Sequence, residues 1–377
     1  MFFHDIPSHD SVKNRLRSMA DTGRIPHAIL LEGPAGIGKL SLARAFAQYI
    51  HCTGRAPGDT DSCGRCPSCI QHQSLGHIDT HYVFPVVNNG KASKPISDDY
   101  MPEWKEYLAT HVYMDFNRWT EMLAKKNAQP VIYSSESAAL IHKLSFAAHA
   151  SRYKIVILWL PEKMELETAN KLLKMIEEPW DDTIFLMVSD SPGNILPTIY
   201  SRVQRIAAKK LADEVIAEVL ENENGIDAAD ALAIAHTAEG SMTTALRNLG
   251  SRGEESEYFD LFVSLMRLAY QRKVADLREW SATLAALGRE KEMKFYSYTI
   301  RLMRENFIYN FKLPQLNYLS STEAKFSTNF ARFINERNVE KLVEVFDNAR
   351  TDIAGNSNGK IVNFDVAVKV ILLLKQQ

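Results

Sequence analysis

The stretch Gly33 to Leu40 reads GPAGIGKL, a phosphate-cradling loop that keeps its glycines and lysine but lacks the hydroxyl that should follow them. In the intact pattern G-x-x-x-x-G-K-[ST], backbone N–H groups wrap the phosphates, the lysine reaches the outer phosphates and the Ser/Thr hydroxyl sits on magnesium. Gly33, Gly36, Gly38 and Lys39 are the candidate nucleotide-binding residues, and Leu40 stands at the metal position. The apolar run Ala28 to Glu32 suits a buried strand, and Leu40, Ala43, Phe46, Ala47 and Ile50 form a helical stripe, so the context is strand, loop, helix. Ser41 does not replace the lost hydroxyl, because one residue further along a helix points about 100° away.

The chain has 377 residues, of which 46% are hydrophobic and 24% charged, which suits a soluble globular protein of two or three domains. With a net charge of −2 and no polybasic tail, any DNA contact is expected to be local and shared with partners. The start MFFHDIPSHDSVKNRL lacks a charged segment followed by an apolar core, and no run of about 18 apolar residues occurs. The expected location is therefore the cytoplasm, without a membrane partner.

All four cysteines, Cys52, Cys63, Cys66 and Cys69, fall in one window that reads C-x10-C-G-R-C-P-S-C. Cytosolic chains seldom keep disulfides, whereas four thiolates at close spacing can close a tetrahedron around zinc. A structural zinc is expected, ahead of free thiols or a redox pair. Four sulfurs leave no position for water, which argues against a catalytic metal.

Three apolar runs, Ala28 to Leu31, Ile155 to Leu160 and Ile184 to Val188, are separated by helical patterns, which predicts an α/β layer with a parallel sheet. A polar, aromatic-spotted stretch over about residues 85–130 fits no element of that alternation. It reads as an insertion, helical around Trp104 to Leu108 and Asn117 to Lys125, of no evident function. After about residue 208 strand signals stop: Leu211 to Leu249 reads as a small helical unit, and beyond a polar break at Gly250 to Glu257 the remainder is helical. The aromatic stripe Phe295, Tyr298, Tyr309 and Phe311 is expected in a core or a subunit interface.

GRIPHAILLEGPAGIGKLSLARAFAQYI, the cysteine window, SRYKIVILWLPEKM, ANKLLKMIEEP and ILPTIYSRVQRI occur in the order seen in bacterial clamp-loader subunits of the DNA polymerase III holoenzyme, which are AAA+ proteins. The chain resembles that family well over about residues 1–250, the insertion apart, and more loosely towards its end. The resemblance implies an AAA+ α/β domain over 1–208 (zinc module 52–69, insertion about 85–130), a helical lid over 209–250 and a helical collar for oligomerisation over 251–377. It also implies a pentamer that uses ATP to open a ring-shaped sliding clamp and place it on primer-template DNA, with gamma/tau and delta subunits as partners.

What is missing narrows the role. Aligned without gaps from LLKMIEEP, the acidic pair that holds magnesium and polarises water in active members falls on Trp159 and Leu160, and Thr243 stands where the lid arginine is expected. Losing one charge-stabilising donor costs about 100- to 1000-fold in rate, so intrinsic ATP hydrolysis is not expected. Ser201 and Arg202 survive where the family places its arginine finger, which faces the nucleotide of a neighbouring subunit, although Val203 replaces the usual cysteine. The plainer account of Arg202 is a surface arginine in a local salt bridge.

The expectation is therefore a non-hydrolysing accessory subunit of the polymerase holoenzyme, with structural zinc and uncertain ATP or ADP binding. The alternatives are an ATP-hydrolysing gamma/tau-like motor and a zinc-dependent DNA-binding module. His77, Asp79 and His81 could be metal ligands, but turn and capping hydrogen bonds are favoured. Glu177 and Glu178 read as a helix end before Pro179 rather than an acid/base pair, since adjacent helical residues do not face each other. Arg24 and His27 fit either a base-binding position or a solvated turn.

Overall fold

The computed structural model describes residues 1–56, 58–88, 94–110, 112–123, 129–250, 252–313 and 316–375. They divide into two compact units, Met1–Ile216 with Ala238–Thr244, and Ala217–Thr237 with Ala245 onward.

The first unit runs α1 (Asp10–Asp21), β1 (Ala28–Glu32), α2 (Lys39–His51), α3 (Pro67–Gln73), β2 (Thr80–Val83), α4 (Met101–Thr110), α5 (Phe116–Met122), α6 (Ser134–Ser145), β3 (Lys154–Trp159), α7 (Leu166–Glu177), β4 (Thr183–Ser189), α8 (Pro197–Tyr200) and β5 (Gln204–Ala207). The strands are all parallel, in the order β2-β3-β4-β1-β5. β1, β3 and β4 are covered on both faces, which explains why they read as continuous apolar runs. Phe185 and Met187 of β4, Val156 and Leu158 of β3 and Leu172 and Ile176 of α7 share one core.

Two strands were not expected. β2 is four residues long and carries Thr80 and His81, and β5, an edge strand, buries only Ile206. Neither shows an apolar run. The insertion is helical in α4 and α5 as expected, although the end of the second predicted helix falls at residues 124–128, outside the described residues.

Helix α9 (Asp213–Asn224) leads from the first unit into the second, which holds α10 (Ala228–Thr237). The chain returns to the first unit at Ala238, α11 (Met242–Gly250) spans the third change between the units, and α12 (Arg252–Gln271), α13 (Val274–Ala286), α14 (Arg289–Tyr309), α15 (Ser321–Phe330), α16 (Val339–Ala354) and α17 (Gly359–Leu373) follow. The expected polar break is shorter than its sequence suggests, because its glutamates are good helix formers and enter α12. Phe262, Phe295, Tyr296, Leu302 and Phe346 form the core of this unit. Of the aromatic stripe, Phe295 and Tyr298 are buried, while Phe311 is half exposed.

Candidate functional site

The phosphate loop leaves the carboxyl end of β1, from which the chain crosses past β4 and β3 to β2 at the edge of the sheet, and α/β proteins bind ligands outside the carboxyl ends of such strands. Gly36 has φ of 76°, and a Cβ there would lie 2.1 Å from the Thr243 hydroxyl oxygen and 2.4 Å from that of Ser241. The Met242 N–H also donates to the Gly36 carbonyl at 3.0 Å. The segment carrying Thr243 thus lies directly on the loop, and the space outside Gly36 is taken by hydroxyls.

Lys39, the first residue of α2, is 3% exposed and turns back into its own loop. Its ammonium donates to the Gly33 carbonyl at 2.8 Å and to that of Pro34, and pairs with Asp190 at 2.7 Å. Asp190 arrives there by register: Glu32 at the end of β1 pairs with Ser189 at the end of β4, so the next residue of each strand meets the other. Burial lowers the Lys39 ammonium below the ordinary lysine range, against the opposing pull of Asp190 and Glu162. Neither carboxylate was singled out in the sequence, because each lies beyond a strand end in no recognisable motif. One Glu162 oxygen accepts the Asp190 and Ser191 N–H groups at 2.9 and 3.0 Å, and the other is buried without a hydrogen-bond partner.

Trp159 and Leu160 are both buried. Around Trp159 the insertion supplies Trp104 at 5.2 Å, Phe116 at 6.2 Å and Tyr107 at 6.5 Å between ring centroids, and Phe84 stacks on Trp104 at 4.1 Å. The indole N–H of Trp119 donates to the Pro85 carbonyl at 2.7 Å, tying α5 to the start of the insertion. The insertion also covers the head of α2: Ser41 donates its hydroxyl to the Val112 carbonyl, and Tyr113 lies 3.4 Å from the position of a Gly38 Cβ. The stretch without an evident role in the sequence is thus an aromatic block beside the head of α2 and the end of β3.

The four cysteine sulfurs lie within 4.8 Å of one another. Cys63 and Cys69 sulfurs are 4.0 Å apart, close to the roughly 3.8 Å edge of a tetrahedron with Zn–S of about 2.3 Å. Backbone N–H groups point at three of the sulfurs: Cys63 to Cys52 at 3.2 Å, Cys66 to Cys63 at 3.4 Å and Cys69 to Cys66 at 3.5 Å. Burial works against a Cys66 thiolate, yet the Cys69 N–H and the Thr53 donors prevail and bring it to about 5. Burial raises Cys69 and Cys52. Four convergent soft donors, with amides already aimed at their charge, fit zinc.

A second cluster lies behind these cysteines. His51, His72 and His77 are all buried, with ring centroids 4.3 to 5.1 Å apart. His51 Nε2 faces the Tyr153 carbonyl at 2.9 Å, which can only accept, so the proton sits on Nε2 and His51 Nδ1 accepts from His72 Nε2 at 2.9 Å. His77 Nδ1 accepts the Asp79 N–H at 3.2 Å, and its Nε2 lies 2.7 Å from the Ser68 hydroxyl. Burial first and mutual repulsion second hold His72 at about 2 and His51 at about 3. His72 and His51 thus form a neutral hydrogen-bonded chain from α3 through the end of α2 to the Tyr153 carbonyl before β3, with the His77 ring stacked on both. Asp79 likewise accepts the His149, Ala150 and Ser151 N–H groups at 2.7 to 2.9 Å, the capping role favoured for it.

Ser201 and Arg202 follow α8 and are exposed. The Arg202 guanidinium meets Glu177 at 2.8 Å and donates to the Thr198 carbonyl at 3.0 Å. Glu177 ends α7 and Glu178 is its C-terminal cap residue. Arg24 and His27 are exposed, which fits either expectation for them.

Comparison with known proteins decides the family. The family model described as DNA polymerase III, delta subunit, matches residues 8–212, more than half of the chain. The chain belongs to this family. A DNA polymerase III subunit delta′ of Haemophilus influenzae is 29% identical over 63% of this chain and 59% of its own length. Subunit delta′ of Pseudomonas aeruginosa is 31% identical over 47% of this chain and 41% of its own. Subunit tau of Bacillus subtilis is 27% identical over 65% of this chain and 36% of its own. The chain thus aligns with less than two thirds of these relatives' length. The family match ends at residue 212, close to the end of the α/β unit. Among the described residues no helix is long and apolar enough to cross a membrane.

Proposed function

We propose that this chain is the delta′-type subunit of a DNA polymerase III clamp loader, hydrolyses no ATP itself, and lends Arg202 to the nucleotide of a neighbouring gamma/tau-type subunit. A three-part division into α/β domain, helical lid and oligomerising collar accompanies this reading, as do one structural zinc on the four cysteines and work on a sliding clamp and primer-template DNA within the complex. The observation that carries it is the state of Lys39. The lysine that would grip phosphates is buried against Asp190 and two loop carbonyls, and the buried Trp159 and Leu160 offer no carboxylate. Hydrolysis needs a held metal and a preorganised charge clamp, and each missing part costs orders of magnitude.

The test is single-turnover hydrolysis by the isolated chain with magnesium and primed DNA. No turnover above a mock preparation is expected, and Leu40→Thr alone is not expected to restore any. The rival motor reading has one observation in its favour, the buried Glu162 oxygen without a partner, which lies on a carboxylate close enough to Lys39 to act on it. Turnover that Glu162→Gln abolishes would establish that reading.

A further inference from the structure

We propose that Glu177 is a parking site for Arg202: a carboxylate that occupies the guanidinium while no neighbouring nucleotide is present and yields it to a phosphate when one arrives. The inference rests on the reading of Arg202 as a residue that serves a neighbour. Its basis is geometric. Arg202 Nη2 lies 2.8 Å from Glu177 Oε1, with the two side chains 43% and 40% exposed. Nη1 is held by the Thr198 carbonyl at 3.0 Å. The carboxylate therefore takes a guanidinium edge that a phosphate would use, since both anions present oxygens to the same planar fork.

The strength of the contact suits exchange. An exposed ion pair of this kind is worth little in water, so a more highly charged phosphate can displace the carboxylate. The partner is also specific. The ion pair falls on Glu177 rather than on Glu178, next in the chain, and Arg205 sits over the Tyr200 ring at 4.9 Å. Glu177 acts through Arg202 and touches no reacting atom, which makes it a positioning residue.

The experiment uses the reconstituted complex carrying Glu177→Gln, Glu177→Asp, Arg202→Ala or the double variant Glu177→Gln/Arg202→Ala, with steady-state ATP hydrolysis as the readout and assembly checked by size exclusion. Glu177→Gln is expected to raise hydrolysis about two- to fivefold at low salt, the worth of an exposed pair. The gain should shrink as salt screens the pair in the parent. Glu177→Asp, which keeps the charge, should stay nearer the parent. In the Arg202→Ala background the Glu177→Gln gain should vanish, because a cycle of this kind isolates the pairwise effect. An unchanged or slower rate for Glu177→Gln, in a complex that Arg202→Ala slows, overturns the parking role and leaves the finger intact. A gain that persists without Arg202 overturns it too. Parent-like hydrolysis by Arg202→Ala overturns the finger reading itself, and this inference with it.

Discussion

At the scale of single residues, the fate of Lys39 depends on a partner that no motif announces. A buried ammonium without a counter-charge is costly, and breaking a buried pair on one side typically costs about 3–5 kcal/mol. Asp190 keeps 20% of its side chain in solvent, so Asp190→Asn is expected to cost less, about 1–3 kcal/mol. For a domain of this size that lowers the melting temperature by several degrees. Calorimetry should show the drop, and Lys39→Met added to Asp190→Asn should recover most of it. An unchanged melting temperature in the single variant would mean that the pair does not hold the loop. His81 provides a second residue-scale check. Burial first and Lys143 second bring it to about 4, below its unfolded value of about 6.5. A depressed histidine binds its proton more readily when unfolded, so its contribution is present above about 6.5 and lost as pH falls towards 4. His81→Gln should therefore move acid unfolding to lower pH, and an unshifted acid midpoint in denaturation curves would count against this. Leu40, Trp159 and Leu160 were legible as departures from an expected pattern, the first from the loop motif and the other two from the family resemblance. Asp190 and Glu162 were not, since their role comes from strand register and emerges only when β1, β3 and β4 lie side by side.

At the scale of elements, the three central strands and the loop helix follow directly from apolar runs and helical periodicity. β2 and β5 escape that reading because a strand at a sheet edge is specified by what it pairs with, and their four residues carry too little pattern. The insertion was legible as an interruption and as helices, but not as the aromatic cover on Trp159, because which face of the sheet receives those rings is a tertiary fact. Truncating Trp159 to Ala should cost about 3–5 kcal/mol and loosen the insertion, as hydrogen exchange over α4 and α5 would reveal. Undiminished protection there would contradict the packing account. The cysteine window illustrates the opposite case, where spacing alone names the cluster. Metal analysis should give about one zinc per chain, and Cys66→Ser should release it and loosen α3. The histidine chain predicts where that loosening travels: through His72 and His51 to the strand start at Tyr153. Full metal content in the variant, or none in the parent, would refute the zinc assignment.

At the scale of the whole molecule, a α/β unit with a closed loop is joined to a helical unit with a large aromatic core of its own. The proposed function makes such a chain a fixed member of an assembly rather than a nucleotide-driven motor, in keeping with a loop that holds Lys39 on Asp190 and meets Thr243 at Gly36. On the proposed function, what the subunit contributes to chemistry is carried by the exposed Arg202 guanidinium. Arginine is always charged and grips phosphate through a planar fork, so lysine should replace it poorly. The deciding measurement is steady-state ATP hydrolysis by the reconstituted complex carrying Arg202→Ala or Arg202→Lys, with assembly verified by size exclusion. Arg202→Ala should slow hydrolysis at the adjacent motor subunit about 10- to 1000-fold, a loss diluted in the total rate because other motor sites keep their own neighbours, with Arg202→Lys close to it and assembly intact. Parent rates from both variants in an intact assembly would contradict the account and reduce Arg202 to a surface salt bridge.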